Sequence, residues 1–309
     1  MVQANGEKVI AVLGPTCTGK SECGLWLAKE FGGEIINADS MQVYKHFDIG
    51  SAKPGMNARA EIAHYLIDLV EPEEEFNGAL FKEAADRAIH DIRSRKRVPV
   101  VVGGTGLYLR ILLHGLFAVT GDTRTREALR SRYQKEPSRV YQELREVDPM
   151  YASKISCNDR TRVVRALEVY YTSGMNMSEW QDRHGFREQR YNAYKVGLTR
   201  ERDELYERIN KRVDSMLQAG WVEEVERLLA TGYASGLKPF SSIGYRDILL
   251  YLSGALGYAE MVTRIKQETR HYAKRQITWF CREQDITWFE YPEDRGKIME
   301  EVGQFLHQN

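Results

Sequence analysis

Two hydrophobic periods follow one another along the chain, and their order predicts the architecture. Val9 to Leu13 is an unbroken apolar run that stops at Gly14, the pattern of a strand buried on both faces. Behind it, Cys23, Trp26, Leu27 and Phe31 recur at three- and four-residue spacing, the stripe of a helix. Gly32-Gly33 ends that helix, and Glu34–Ala38 reads as a second strand. Further apolar runs at His64–Ile67 and Val98–Val102 read as strands, the latter with Pro99 near its start, where proline is tolerated. Between them Phe81–Arg95 is amphipathic and helical. Strands alternating with helices predict a parallel sheet covered on both faces.

The rhythm changes after about Asp122. As far as Arg190 the pattern is helical with polar connections, and Asp159–Tyr171 is its clearest helix. A strand-like run, Tyr194–Leu198, then resumes the first pattern, a long helix starts near Arg202, and Ile286–Phe289 reads as a last strand. The expectation is an α/β core interrupted by a helical insertion, with the core in residues 1–120 and 192–309 and the insertion in 121–191.

Bulk properties narrow this little. A chain of 309 residues with 42% hydrophobic and 28% charged positions is that of a soluble globular protein. No apolar run approaches the roughly 18 residues of a membrane span. The polar start, Met1 to Lys8, leads straight into a strand, so no secretory signal is expected and the protein is expected in the cytoplasm. Cys17, Cys23, Cys157 and Cys281 are scattered, which suits reduced thiols better than a metal site. With 44 basic and 44 acidic residues, net charge does not announce a nucleic-acid partner. Locally it differs: between Arg264 and Arg282 six basic residues face one acid, Glu268. Lys266, Arg270 and Lys274 share a helix face there, which serves either phosphate contact or simple solvation.

Gly14-Pro15-Thr16-Cys17-Thr18-Gly19-Lys20-Ser21 has the form G-x-x-x-x-G-K-S and lies between a strand and a helix, the setting in which that motif binds phosphate. Small residues let backbone N–H groups wrap an anion, Lys20 adds a point charge, and the Ser21 hydroxyl is placed to ligate Mg2+. Cys17 reads as a small filler. A phosphate loop suggests phosphoryl transfer, but two features point elsewhere. The second strand runs into Asp39-Ser40-Met41-Gln42, which puts a carboxylate at the sheet edge where ligands of such folds gather. That carboxylate serves as a proton acceptor, a magnesium partner or a loop cap. The fourth strand runs into Gly103-Gly104-Thr105-Gly106, a turn suited to close approach of a ligand.

The segments GPTCTGKS (14–21), INADSMQVYKHFDIGSAKP (36–54), VVGGTGLYLR (101–110), NDRTRVVRALEV (158–169), SIGYRD (242–247) and TRHYAKRQITWF (269–280) together resemble the bacterial tRNA dimethylallyltransferases, in that family's order over nearly the whole chain. The resemblance implies a kinase-type, P-loop NTPase-like core with an inserted all-helical domain that embraces the anticodon stem of tRNA. It implies transfer of a dimethylallyl group from dimethylallyl diphosphate to N6 of adenine 37, next to the anticodon, by a monomer. Thr16 to Ser21, within Gly14–Ser21, would hold the diphosphate with Mg2+ on Ser21. Asp39 matches the general base and Thr105 accompanies it in the catalytic set. Asp39, Ser40, Met41, Gln42 and Thr105 match tRNA contacts, as do Arg126 and the segment Thr161, Arg162, Val163, Val164, Arg165. Thr161 departs from the family's usual glutamine, which puts that contact in doubt. Arg246 is a candidate for pairing with the diphosphate or the tRNA backbone. The adenine is expected to be flipped out, with Gln42 suited to reading its edge. Without the resemblance, Arg162 and Arg165 read as a solvated helix face. The rival functions are an adenylate isopentenyltransferase acting on a free adenine nucleotide, a small-molecule kinase with Asp68 near its magnesium, and a non-catalytic tRNA-binding module.

Overall fold

The protein's structure, a computed structural model, describes residues 6–116, 119, 121–186 and 188–308; the polar leading residues 1–5 lie outside that range. These divide into two compact units, Met1–Leu113 with Arg190–Asn309, and His114–Gln189.

The first unit is built on six parallel strands: β1 (Lys8–Leu13), β2 (Gly33–Asn37), β3 (His64–Tyr65), β4 (Val98–Gly103), β5 (Asn192–Thr199) and β6 (Ile286–Glu290), in the order β3-β2-β4-β1-β5-β6. β1 and β4 are apolar because helices cover both faces of the sheet; Val9–Leu13 and Val100–Val102 are buried. Each such side chain adds roughly 1.5–3 kcal/mol, and in these two strands the charged residue, Lys8, stands at an end. β3 is shorter than its apolar run suggests. Leu66 and Asp68 adopt left-handed backbone (φ 63° and 53°), which ends the ladder after two residues. The helix expected at Phe81–Arg95 begins earlier, at Gly78, because Asn77 caps it by accepting from the N–H groups of Ala79 and Leu80.

Chain order explains where a ligand belongs. From β1 the chain moves outward to β2 and β3, then returns to place β4 between β2 and β1. The C-terminal ends of β2, β4 and β1 therefore lie side by side at a topological switch point, where open α/β sheets bind ligands. After the helix Gly106–His114 the chain leaves this unit, and it returns at Arg190 to form β5 beside β1. Exit and return are tied together: Arg190 donates its backbone N–H to Leu113 O at 2.9 Å, and its guanidinium pairs with Asp86 at 2.8 Å.

Within its described residues the second unit is helical, with Thr123–Lys135, Pro137–Val147, Pro149–Ala152, Arg160–Ser173 and Met177–His184. Its core gathers Leu129, Tyr133, Val140, Leu144, Val163 and Leu167. Asp159 precedes the helix it was expected to open, capping it by accepting from Arg162 N at 3.1 Å. Among the described residues, no helix of either unit is long and apolar enough to cross a membrane.

Candidate active site

At the end of β1 the chain turns through left-handed conformations at Gly14 (φ 138°), Cys17 (φ 67°) and Gly19 (φ 91°). Such alternation points successive N–H groups inward around an anion. Gly14 has no substitute, since a Cβ there would lie 2.3 Å from the Leu198 carbonyl oxygen. Pro15 O is the loop's internal anchor, accepting from Thr18 Oγ1 at 2.9 Å and from Lys20 Nζ at 2.5 Å. Cys17 packs against Leu205, Ile209 and Ala273, so it fills space as expected. Ser21 is exposed at the start of the helix Lys20–Glu30, whose N-terminus adds partial positive charge.

Lys20 is strongly perturbed. Burial, and then the nearby Arg212 guanidinium, push its ammonium down to about 8; Cys17 and Asp39 act the other way. Arg212 lies on the helix Arg202–Gln218, with Nη1 3.9 Å from Cys17 Sγ. A half-buried ammonium and a second cation beside a loop of inward N–H groups suit a multiply charged anion.

At the end of β2, Ala38 N still bonds Val102 O at 2.8 Å, and Asp39 follows. Asp39 Oδ1 accepts from Met41 N (2.7 Å) and Gln42 N (3.3 Å), which fixes the carboxylate; Oδ2 has no hydrogen bond among the described residues. Thr105 braces this segment. Its N–H donates to Ala38 O at 3.3 Å, and its hydroxyl oxygen accepts from Ser40 N at 3.3 Å. It stands just behind the cavity lining, bonded on either side of Asp39. The Gln42 amide nitrogen donates to Ser51 O and Ala52 O (3.0 and 3.2 Å), which orients the side chain.

These segments enclose a cavity of roughly 640 Å³, walled also by Arg212, Met216, Tyr272 and Arg275. Burial, and then the charge of Asp39, hold the Tyr272 phenol above its usual range, so it remains a hydroxyl donor at neutral pH. The loop over this space, Asp48 to Gly50, is pinned by the buried Glu224 carboxylate. That group accepts from the N–H groups of Asp48, Ile49 and Gly50 (3.0, 2.7 and 3.4 Å) and from the Tyr245 hydroxyl (2.6 Å).

Several expected residues lie elsewhere. Val163 and Val164 are buried in the core of the helical unit, because they occupy the inward face of Arg160–Ser173, and so cannot touch tRNA. Arg246 is exposed and does not line the cavity; its neighbours Ser242, Ile243 and Tyr245 do, and so does a further cation, Arg212. Lys266 pairs with Asp214 at 2.7 Å and Arg270 donates to Asn210 Oδ1 at 2.7 Å, so two of the three basic helix positions serve packing against Arg202–Gln218. Thr161 and Arg162 are exposed, Arg162 beside Asp159 at 3.4 Å. Arg126 and Arg165 converge on the buried Glu168 carboxylate at 2.9 and 3.1 Å. Burial raises the Glu168 carboxyl, but the hydrogen bonds from Arg126 and Arg165 outweigh it and hold it below its ordinary range. Both guanidinium groups remain partly exposed, oriented by a shared anion.

Arg212, Tyr272 and Gln276 were not singled out from the sequence. A signal existed for the last: Ala273, Gln276 and Phe280 fall on the buried face of Tyr258–Phe280, where an amide has no reason to be unless it bonds something.

Compared with known proteins, residues 42–284 match the family model described as IPP transferase, and residues 7–72 the model described as isopentenyl transferase. The chain is 46% identical over 303 residues to tRNA dimethylallyltransferase 2 of Geotalea daltonii, covering 97% of this chain and 93% of that one. It is 45% identical over 309 residues to the tRNA dimethylallyltransferase of Geobacter metallireducens, covering 99% and 100%. Among solved structures, the tRNA isopentenylpyrophosphate transferase of Bacillus halodurans matches with a TM-score of 0.73 at 35% identity, over 97% of both chains. A eukaryotic dimethylallyltransferase solved acting on tRNA matches with a TM-score of 0.81 at 30% identity, over 97% of this chain and 80% of that one.

Proposed function

The chain belongs to the IPP transferase family, and from that premise we propose that it transfers a dimethylallyl group from dimethylallyl diphosphate to N6 of the adenine beside the third anticodon base of tRNA. The observation that carries this reading is that Lys20, Ser21, Arg212 and Asp39 line one cavity. A diphosphate in the Gly14–Ser21 loop meets inward N–H groups, the helix N-terminus and two cations. The allylic carbon then points towards Asp39. N6 attacks that carbon, the N–C bond forms as the C–O bond breaks, and diphosphate departs into the loop. The N6 proton passes to Asp39 Oδ2, removing the charge that would otherwise develop on a weakly nucleophilic amine. Ser40, Met41 and the Gln42 carbonyl oxygen border the space for the flipped adenine, and the Tyr272 ring offers an aromatic face to it.

The residues suit a magnesium ion: Ser21 offers an exposed hydroxyl, a hard oxygen donor, beside the Lys20 ammonium. Bound there, Mg2+ would neutralise charge on the departing diphosphate. In the helical unit, Thr161, Arg162, Arg126 and Arg165 supply contacts to the tRNA backbone. The enzyme acts in the cytoplasm as a monomer.

The test is acceptor choice. The purified protein is given labelled dimethylallyl diphosphate, Mg2+ and either unmodified tRNA or AMP. Label in tRNA, mapped by nuclease digestion to that adenine, is expected. Label in AMP would favour the free-nucleotide enzyme, and label elsewhere in tRNA would remove the positional assignment.

The Lys20 ammonium gives a pH dependence of defined sign. The charged form binds the diphosphate, so binding is undiminished below about pH 8 and weakens as Lys20 loses its proton above it. The donor Kd, measured by calorimetry, should be flat between pH 6.5 and 7.5, then rise by up to about tenfold per pH unit above pH 8.

A further inference from the structure

Donor and acceptor are held by loops that leave different strands, and the paired register of those strands ends at Leu13 with Gly103. Beyond that pair the sheet no longer fixes the distance between the phosphate loop and the Asp39 segment. One side chain spans the gap. Gln276 is buried, with Oε1 accepting from Thr16 N at 2.9 Å and Nε2 donating to Gly104 O at 2.9 Å. Gly104 leaves the space this needs, since a Cβ there would lie 2.3 Å from Gln276 Nε2. The turn continues the connection, because Thr105 bonds both Ala38 O and Ser40 N, on either side of Asp39. The Thr16 N–H is thereby committed to Gln276 and not directed at a ligand.

We propose that Gln276 is a positioning residue that sets the register between the leaving diphosphate and the proton acceptor, acting through the phosphate loop on one side and the Gly104–Thr105 turn on the other. This rests on the reading of the cavity given above. An in-line displacement demands such control, because attacking nitrogen, carbon and leaving oxygen must be collinear at near-contact distance. Misplacement of one loop by about 1 Å costs on the order of a hundredfold in rate. Each substrate, however, is bound by groups on its own loop. Loss of the brace therefore spares binding and slows the chemical step.

Gln276→Leu removes both bonds at similar volume, whereas Gln276→Glu keeps the acceptor for Thr16 N and turns an unprotonated oxygen on Gly104 O. For Gln276→Leu, single-turnover rate is expected to fall ~10- to 100-fold, with Kd for dimethylallyl diphosphate and for tRNA each within ~3-fold of the parent. Gln276→Glu is expected to be as slow at pH 8 and to recover relative to the parent towards pH 6, because a protonated carboxyl again donates to Gly104 O. Should the leucine variant fail to fold, the pH profile of the glutamate variant decides alone. A parental rate in folded Gln276→Leu, losses in Kd that match the loss in rate, or a Gln276→Glu to parent ratio flat with pH would each overturn the proposal. Asp39→Asn and Lys20→Met, run alongside, separate the two levels. If both are impaired and Gln276→Leu is not, only the brace is wrong. If both turn over normally, the reading of the cavity falls and the brace with it.

Discussion

Asparagine in place of Asp39 should lower the single-turnover rate by ~10²- to 10⁴-fold, the usual contribution of a placed general base. Asn is the informative replacement. Its carbonyl oxygen can still accept from Met41 N and Gln42 N, the bonds that hold this turn (2.7 and 3.3 Å), so the backbone keeps its course. What is lost is the second oxygen, the one with no partner among the described residues. Donor and tRNA should still bind within ~3-fold of the parent, a signature of an interaction made only in the transition state. Quench-flow rates with separate binding measurements check this. A fall in tRNA affinity equal to the fall in rate would make Asp39 a binding residue and remove it as the base.

The second large effect is expected at Lys20. Methionine there removes one cation from the phosphate loop while keeping the length of the side chain, and kcat/KM for the donor should drop by ~10²- to 10³-fold, with tRNA affinity unaltered. The rise in donor Kd above pH 8 should vanish in the same variant, because the titrating group is gone. Stability should move in the opposite direction. The ammonium is held down to about 8 mainly by burial, so the folded protein carries a cost below that pH. Between about 8 and the ordinary lysine range the unfolded chain binds more protons, and stability therefore increases with pH across that window. Lys20→Met should remove the cost and melt no lower than the parent while losing activity. A variant that loses stability and activity together would indicate a structural lysine.

The parts of the site that were legible in the sequence are those made by contiguous backbone. The run from Val9 into Gly14–Ser21 specifies strand, phosphate loop and helix within a short stretch, because glycine positions and the lysine act locally. Asp39 was legible because its strand ends just before it. Arg212, Tyr272 and Gln276 reach the same cavity from helices far along the chain. Helical periodicity tells that such a face is buried and leaves open against what. Carrying a contiguous block over as a contact misplaced Val163 and Val164 for the converse reason: in a helix, neighbours in sequence point in different directions, and these two point inward. Lys266 and Arg270 looked like a basic face, yet Asp214 and Asn210, distant in sequence, account for both. The insertion was expected over 121–191, and the compact helical unit comprises His114–Gln189. Its entry falls within the helix Gly106–His114, where the apolar pattern runs on without a break.

Whether the phosphate loop holds a leaving group or a group being transferred is decided by following both halves of the donor at once. Dimethylallyl diphosphate labelled in the allylic carbon and in the β-phosphorus, incubated with Mg2+ and unmodified tRNA, should leave carbon label in the tRNA, an equal amount of phosphorus label in free diphosphate, and no phosphorus label in the tRNA. Phosphorus label in the tRNA, or release of diphosphate with no carbon transferred, would contradict alkyl transfer at this loop.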